Sequence, residues 1–112
     1  MTYRIFIDGA VGTTGLQVHD RLDAHPGVSA AVLDDDMRKD SKDRQEMMAE
    51  SNITILCLPD DAARESAALA DKLGARVIDA SSAHRTANDW TYGFAELVPD
   101  AADKIAAARQ IS

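Results

Sequence analysis

Three glycines near the N-terminus, Gly9, Gly12 and Gly15, follow one another at intervals of three residues. At this spacing Gly9 permits a tight turn, Gly12 lets a phosphate approach the backbone, and Gly15 lets a helix pack closely on a sheet. Thr13 and Thr14 add hydroxyl groups where free helical N–H groups attract a pyrophosphate. A plain glycine-rich turn is the alternative. An apolar strand pattern before the turn and a helical pattern after it favour dinucleotide binding.

A cluster of charges follows the second apolar segment. Asp34 lies 19 residues after Gly15, where a carboxylate would bond the ribose hydroxyls of NAD. Arg38 and Lys39 follow closely, and either could neutralise the 2′-phosphate of NADP. For each charge taken singly, a solvated loop is at least as good an interpretation. These residues alone therefore leave NAD and NADP open.

Two further segments carry polar groups at predicted strand ends. Leu58 is the last residue of the third strand and Pro59 follows it, and both are candidate cofactor contacts. After the fourth strand, Ser81 and Ser82 could donate hydrogen bonds near a nicotinamide, and Arg85 could bind a phosphate bidentately. A capped turn with a surface arginine is the alternative. His19 and His84 are interpreted as surface or packing residues, and no metal site is predicted.

The elements that must position these groups alternate between apolar strands and helical patterns. This alternation predicts an α/β fold, a Rossmann-like parallel sheet with helices on both faces. Right-handed crossovers give the strand order second, first, third, fourth, with the ligand at the carboxyl ends between the first and third strands. The predicted strands are Tyr3–Asp8, Val28–Leu33, Ile53–Leu58 and Ala75–Ala80, with a further strand beginning at Ile111. The predicted helices are 12–24, 42–50, one from Asp60 to Leu73, and 100–109.

Several side chains have predicted places in these elements. Leu16 and Leu22 are expected to face the sheet from the first helix, and Met47 and Met48 to point inward from the second. The pair 60–61 supplies carboxylates that could cap the third helix, and the glycine at 74 could end that helix in the left-handed conformation.

Composition bounds the kind of protein. The chain has 112 residues, enough for one domain, and a formal net charge of −7, which disfavours nucleic acid and anionic membranes as partners. No apolar run approaches the ~20 residues of a spanning helix. The single cysteine excludes an intrachain disulfide. We therefore expect a cytoplasmic protein that binds a small molecule.

Three motifs together resemble N-acetyl-gamma-glutamyl-phosphate reductase of the shorter type. They are Ile-Phe-Ile-Asp-Gly-Ala-Val-Gly-Thr-Thr-Gly-Leu at 5–16, Leu-Cys-Leu-Pro-Asp-Asp-Ala-Ala-Arg-Glu at 56–65, and Asp-Ala-Ser-Ser-Ala-His-Arg at 79–85. The segment 90–97 is similar too, although Ala95 stands where the family usually has proline. The glycine motif is shared with aspartate-semialdehyde dehydrogenases, whereas the other two motifs are more specific to the reductase.

The resemblance implies an activity and a cofactor. That activity is NADPH-dependent reduction of N-acetylglutamyl 5-phosphate to the 5-semialdehyde in arginine biosynthesis, through attack by a cysteine thiolate. It favours NADP over NAD, with Arg38 and Lys39 as the candidate contacts. It also implies that Ser81 and Ser82 line the nicotinamide and that Arg85 holds the substrate phosphate. The full enzyme is expected to be a homo-oligomer.

The family's nucleophile lies in an Asn-Pro-Gly-Cys-Tyr motif directly after a segment like Ile111–Ser112, where this sequence stops. Cys57 is no substitute, because it is predicted to lie in the middle of a buried strand. We therefore expect residues 1–112 to form a NADP-binding domain without the substrate domain, able to bind the cofactor but not to turn over. The alternatives are a fragment of an aspartate-semialdehyde dehydrogenase, a non-catalytic nucleotide-binding module, or a truncated domain that binds nothing and self-associates.

Overall fold

Five parallel strands and four helices alternate along the chain in a computed structural model that describes residues 3–9, 13–33, 41–85, 87, 89–93 and 99–112. The strands are β1 (Tyr3–Asp8), β2 (Val28–Ala31), β3 (Ile53–Leu56), β4 (Val77–Asp79) and β5 (Gln110–Ile111). The helices are α1 (Thr13–Asp23), α2 (Ser41–Glu50), α3 (Asp60–Leu73) and α4 (Ala101–Ala107). The sheet order is β2-β1-β3-β4-β5, which confirms the predicted fold class and order.

The strands beside β1 are shorter than predicted, and each ends where its pairing with β1 ends. Ala31 is the last residue of β2 to pair with β1, and Leu56 of β3 pairs with Asp8, the final residue of β1. Beyond those positions the backbone leaves the sheet and turns into loops. In the described part of the chain, no helix has the length and apolar character needed to cross a membrane.

One face of the sheet carries the main core. Phe6, Leu56 and Val77 come from β1, β3 and β4 and are almost completely buried. Met48 of α2 packs against them at 1% exposure, and Met47 is partly buried beside it, as predicted. Because the strand order reverses at β1, right-handed crossovers place α1 on one face and α2 and α3 on the other. The site at the strand ends is thus supported from both faces.

Helix α1 packs through a glycine, and the prediction that Leu16 faces the sheet is wrong. Leu16 is 56% exposed, whereas Gly15 is the buried residue of this helix. Leu22 is half-buried, as predicted, because it lies two turns after Gly15 on the same face. Leu16 is rotated by about 100° from Gly15, since a helix has 3.6 residues per turn. The helix can therefore approach the sheet closely at its N-terminal end.

Helix α3 begins differently from the prediction and ends as predicted. Pro59 is its N-cap residue and there is no side-chain cap, so capping by the two aspartates is wrong. Asp60 instead accepts hydrogen bonds from another loop, and Asp61 pairs with Arg64 at 3.0 Å. Gly74 ends the helix in the left-handed conformation, with φ +65°.

The β5 side of the sheet is extended by a short irregular segment. The backbone N–H of Thr91 donates to Gln110 O at 2.9 Å, and that of Ser112 donates to Thr91 O at 2.9 Å. The N–H of Gly93 then donates to Ser112 O at 2.7 Å. Residues 91–93 therefore run along β5, and the pairing of Thr91 with Ile111 fixes the backbone next to Trp90.

Candidate functional site

A cleft of about 190 Å³ opens at the carboxyl ends of the strands, where the strand order reverses. It is lined by Thr13, Thr14, Gly15, Cys57, Leu58 and Ala80. The structure therefore brings together four of the predicted cofactor residues, three from α1 and one from the loop after β3. Cys57 and Ala80 were missed, although each directly follows a strand. The rule that ligands bind beyond the carboxyl ends of parallel strands would have found both.

The first glycine makes the tight turn predicted for it. Gly9 is buried and has φ +89°, a conformation that side chains with a Cβ rarely adopt. A Cβ there would lie 2.5 Å from the backbone oxygen of Cys57 and 2.7 Å from Cδ2 of Leu58. The backbone N–H of Cys57 donates to Asp8 O at 2.8 Å. The turn after β1 and the loop after β3 are thus in direct contact.

The remaining predicted contacts are distributed unevenly. Pro59 is exposed and starts α3, beside Leu58 of the cleft. Gly12 lies outside the described residues. So do the adenosine-side candidates Asp34, Arg38 and Lys39. The described part of the candidate site is therefore the part that was predicted to hold the pyrophosphate and the nicotinamide.

The N-terminus of α1 is electrostatically suited to an anion. Its first turn contains Thr13 and Thr14, both exposed, and no acidic residue. The other helices each have acidic residues in the first turn: Asp43 in α2, Asp60 and Asp61 in α3, and Asp103 in α4. A helix N-terminus carries a partial positive charge and N–H groups without helical partners. No carboxylate in the first turn of α1 competes with a phosphate for those groups.

Cys57 is not in the middle of a buried strand, and that prediction is wrong. Strand β3 ends at Leu56, so the cysteine lies in the loop that follows, half-buried and lining the cleft. Burial raises the pKa of the Cys57 thiol, and the carboxylates of Asp8 and Asp79 raise it further. The thiol is therefore protonated near neutral pH, which makes it a poor nucleophile.

A buried ion pair between Asp8 and Arg44 lies next to the Gly9 turn. The carboxylate of Asp8, the last residue of β1, is 1% exposed. It accepts a 2.5 Å hydrogen bond from the Ser66 hydroxyl of α3, and its Oδ1 lies 3.5 Å from Nε of Arg44 in α2. The Arg44 side chain is itself only 13% exposed. Helix α3 thus donates a hydrogen bond to the residue that immediately precedes Gly9, and α2 places a cation beside it.

A second buried carboxylate organises the loop after β4. Asp79 accepts hydrogen bonds at 2.9 Å from both the backbone N–H and the hydroxyl of Ser81. Its Oδ2 also lies 2.6 Å from Nδ1 of His84. The His84 ring stacks on Trp90, with centroids 4.1 Å apart and an interplanar angle of 12°. Of the two roles predicted for His84, surface or packing, the structure shows packing. Its ring is partly buried and hydrogen-bonded to Asp79.

The neighbouring Ser82 is bonded to a third carboxylate. Asp60, at the start of α3, accepts from the Ser82 hydroxyl at 2.8 Å and from its backbone N–H at 3.2 Å. Because Ser81 and Ser82 already donate their hydroxyl hydrogens, they can offer a ligand only acceptor oxygens in this arrangement. Arg85 follows them with an exposed side chain.

We expect the link between Asp60 and Ser82 to persist below the ordinary aspartate pKa, because the pKa of Asp60 is lowered. The hydrogen bond from the Ser82 hydroxyl is the main cause that lowers the pKa of Asp60. A lowered pKa in the folded state means that this contribution to stability is present above the ordinary aspartate pKa of about 3.9 and is lost as the pH falls below it. Carboxyl carbon NMR should therefore show Asp60 titrating at higher pH in Ser82→Ala than in the unmodified chain. Equal midpoints would contradict the assignment of the shift to Ser82.

Proteins of known name match nearly the whole chain. The chain is 50% identical over 108 residues to N-acetyl-gamma-glutamyl-phosphate reductase of Burkholderia ambifaria, covering 96% of the chain and 34% of that protein. It is 43% identical over 109 residues to N-acetyl-gamma-glutamyl-phosphate reductase 2 of Nostoc sp., covering 97% and 34%. The chain thus spans about a third of the length of the curated relatives it matches.

Solved structures show the same fold at low identity. Aspartate semialdehyde dehydrogenase with NADP from Candida albicans superposes with a TM-score of 0.76 at 15% identity, covering 94% of this chain and 37% of that one. Aspartate semialdehyde dehydrogenase II from Vibrio cholerae superposes with a TM-score of 0.73 at 16% identity, covering 99% and 37%.

A family model completes the assignment. The model for the NAD-binding domain of semialdehyde dehydrogenases matches residues 34–105, well over half of the chain. This match supports a nicotinamide dinucleotide as the class of cofactor, and it agrees with a cleft at the strand ends beside the N-terminus of α1. The chain belongs to the semialdehyde dehydrogenase NAD-binding domain family.

Proposed function

We propose that this chain binds NADP across the carboxyl ends of its strands, with the pyrophosphate at the N-terminus of α1. The observation that carries the proposal is the cleft between the first turn of α1 and the loops after β3 and β4. That turn has exposed threonines and no carboxylate. The proposed pyrophosphate contacts are Gly9, Gly12, Thr13, Thr14 and Gly15, and the proposed nicotinamide contacts are Leu58, Pro59, Ser81 and Ser82.

The cleft fits part of a dinucleotide. Its volume of about 190 Å³ is smaller than the roughly 300–1,000 Å³ of pockets that enclose a whole ligand. A cofactor extended along the strand ends would enter the cleft with its central and nicotinamide portions only. Its adenosine end would then lie near residues 34–39, where Arg38 and Lys39 are the proposed contacts to a 2′-phosphate.

We further propose that the chain is the cofactor domain of an N-acetyl-gamma-glutamyl-phosphate reductase. Relatives that are 43–50% identical carry that name, whereas likeness to aspartate semialdehyde dehydrogenases at 15–16% identity supports only the fold. When bound, NADPH supplies a hydride. The chain's own residues bind and orient: the first turn of α1 holds phosphates, and Arg85 holds the phosphate of the acyl-phosphate substrate. Cys57, with its raised thiol pKa, is not the proposed nucleophile.

The proposal places the nucleophile and the substrate domain in sequence that would follow residue 112 of a longer protein. We therefore expect these 112 residues to produce no semialdehyde from N-acetylglutamyl 5-phosphate and NADPH. Formation of semialdehyde and NADP⁺ by the purified chain would contradict this division of labour. A cytoplasmic location and a homo-oligomeric full-length enzyme are proposed on the sequence and the family resemblance.

Calorimetric titration with NADP⁺ and NAD⁺ side by side tests the cofactor. We expect NADP⁺ to bind more tightly, and the double variant Arg38→Gln/Lys39→Gln to weaken NADP⁺ by at least about tenfold, because each hydrogen bond to a charged group is worth about 1.5–3 kcal/mol. NAD⁺ binding should be unchanged in that variant. Arg21→Gln, in the last turn of α1, is the matched control. Equal affinities for the two cofactors, or the same loss in the control, would refute the proposed contacts.

A further inference from the structure

The loop after β4 is held by a chain of three side chains, Asp79, His84 and Trp90. We propose that His84 is the positioning residue for Arg85, which it holds over the strand ends in readiness for an anion. This inference rests on the proposed function, in which Arg85 binds the substrate phosphate. His84 itself need not touch any ligand, because it acts through the adjacent backbone.

The carboxylate of Asp79 is the fixed point of this arrangement. Its side chain is completely buried at the end of β4, where the sheet itself holds the backbone. A buried carboxylate is stable only when its oxygens accept hydrogen bonds. Three are present: two from Ser81 and one at 2.6 Å from Nδ1 of His84. The imidazole is thus attached to the last residue of a paired strand.

The ring of His84 is held from its other side by Trp90. The stacked geometry, with centroids 4.1 Å apart, fixes the plane of the imidazole as well as its distance. Trp90 is itself fixed, because its side chain packs against the core and the following residue, Thr91, pairs with β5. The imidazole is therefore clamped between β4 and the segment that runs along β5. A surface histidine in a solvated turn would have neither contact.

The backbone of Arg85 is held in place because it directly follows His84 and is bonded within the same loop. Its backbone N–H donates to Ser82 O at 3.4 Å, and Ser82 is bonded in turn to Asp60 of α3. The exposed guanidinium thus extends from a backbone that is tied to β4, α3 and the β5 edge. Ala80, at the start of the same loop, lines the cleft. Binding an anion then requires ordering of the Arg85 side chain but not of the loop.

Two substitutions separate the contacts of His84. His84→Phe keeps an aromatic ring over Trp90 and removes the donor to Asp79, whereas His84→Gln keeps a side-chain donor and removes the ring. His19→Phe on α1 is the matched control, since the partner of His19 within the described residues is the exposed Asp23. Fluorescence of Trp90, the single tryptophan, reports on the stack, and circular dichroism verifies folding. The probe ligand is inorganic phosphate, followed through the Nε–H resonance of Arg85 in ¹⁵N spectra.

In the unmodified chain we expect ordered backbone amides over residues 81–85, measured by heteronuclear NOE, and phosphate shifts at Arg85. His84→Phe should lower that order and weaken phosphate binding about three- to tenfold, the typical cost of ordering a mobile segment and side chain. His84→Gln should restore much of both. Unchanged loop order and phosphate affinity in a folded His84→Phe variant would overturn the inference.

NADP⁺ binding distinguishes this inference from the proposed function. All three histidine variants should still bind NADP⁺ through the first turn of α1, and in the His84 variants the loss of NADP⁺ affinity should be smaller than the loss of phosphate affinity, because only Ser81 and Ser82 of the proposed cofactor contacts lie in this loop. If the unmodified chain fails to bind NADP⁺, the proposed function fails, while the NOE comparison still decides whether His84 orders the loop. If phosphate shifts Arg85 equally in every variant, the positioning role fails and the proposed function stands.

Discussion

Replacing Gly9 by alanine is expected to destabilise the domain by about 3 kcal/mol or more. The residue has φ +89°, where an L-residue costs roughly 1–2 kcal/mol. The new Cβ would also lie 2.5 Å from the backbone oxygen of Cys57, a residue whose own N–H donates to Asp8 O. Overpacking of this kind costs about 1–3 kcal/mol. Urea denaturation followed by circular dichroism measures the loss.

Gly74→Ala is the matched control for that substitution. Gly74 has φ +65°, but a Cβ there would meet no atom within 4 Å. It therefore isolates the conformational cost, which we expect to be about 1 kcal/mol. The difference between the two variants measures the contact between the turn after β1 and the loop after β3. Equal losses of unfolding free energy in the two variants would show that the loop after β3 moves aside for a Cβ at no cost. The close contact would then not be the reason for glycine at position 9.

Replacing Arg44 by methionine is expected to cost about 3 kcal/mol in free energy of unfolding at neutral pH. The substitution keeps most of the packing volume but removes the cation 3.5 Å from the buried Asp8 carboxylate. Breaking a buried ion pair from one side typically costs about 3–5 kcal/mol, because the other charge remains buried. The hydrogen bond from Ser66 persists, so the lower end of that range applies.

Arg64→Met is the control for the same change in an exposed pair. Arg64 and Asp61 lie 3.0 Å apart, but their side chains are 55% and 102% exposed. Such pairs contribute about 0–1 kcal/mol. If the two methionine variants unfold at the same urea concentration, the buried pair contributes no more than a surface pair.

Arg44→Met should also weaken NADP⁺ binding, because Asp8 immediately precedes the Gly9 turn.

The fold could be predicted from the sequence because its signals are local. The run Ile53–Leu58 is almost uniformly apolar, as in strands buried on both faces, and the left-handed Gly74 ends its helix as its residue type implies. The cleft followed from the same logic, since Thr13, Gly15 and Leu58 all lie at strand ends or helix starts. Such features depend on residues close together in the chain, so a single sequence contains them.

The wrong predictions concern side chains whose positions depend on residues far away in the sequence. Leu16 has a core-like side chain, but the packing of Gly15 rotates it outward. Asp60 has the side chain of a helix cap, but Ser82, 22 residues later, donates to it instead. Likewise, nothing near Asp8 in sequence predicts that Arg44 and Ser66 converge on it. Convergence of this kind is set by tertiary packing, which local patterns do not encode.

The backbone pairing of residues 91–93 along β5 also bears on solubility. A bare sheet edge offers unpaired N–H and C=O groups to the edge of another molecule and can nucleate aggregation. Here the N–H of Thr91 donates to Gln110 O, and the carbonyl of Thr91 accepts from the N–H of Ser112. These outward-facing backbone groups of Gln110 and Ser112 are therefore already paired. The irregular segment 91–93 thus covers the free edge of β5. A strand from another molecule could pair with β5 only after displacing this segment.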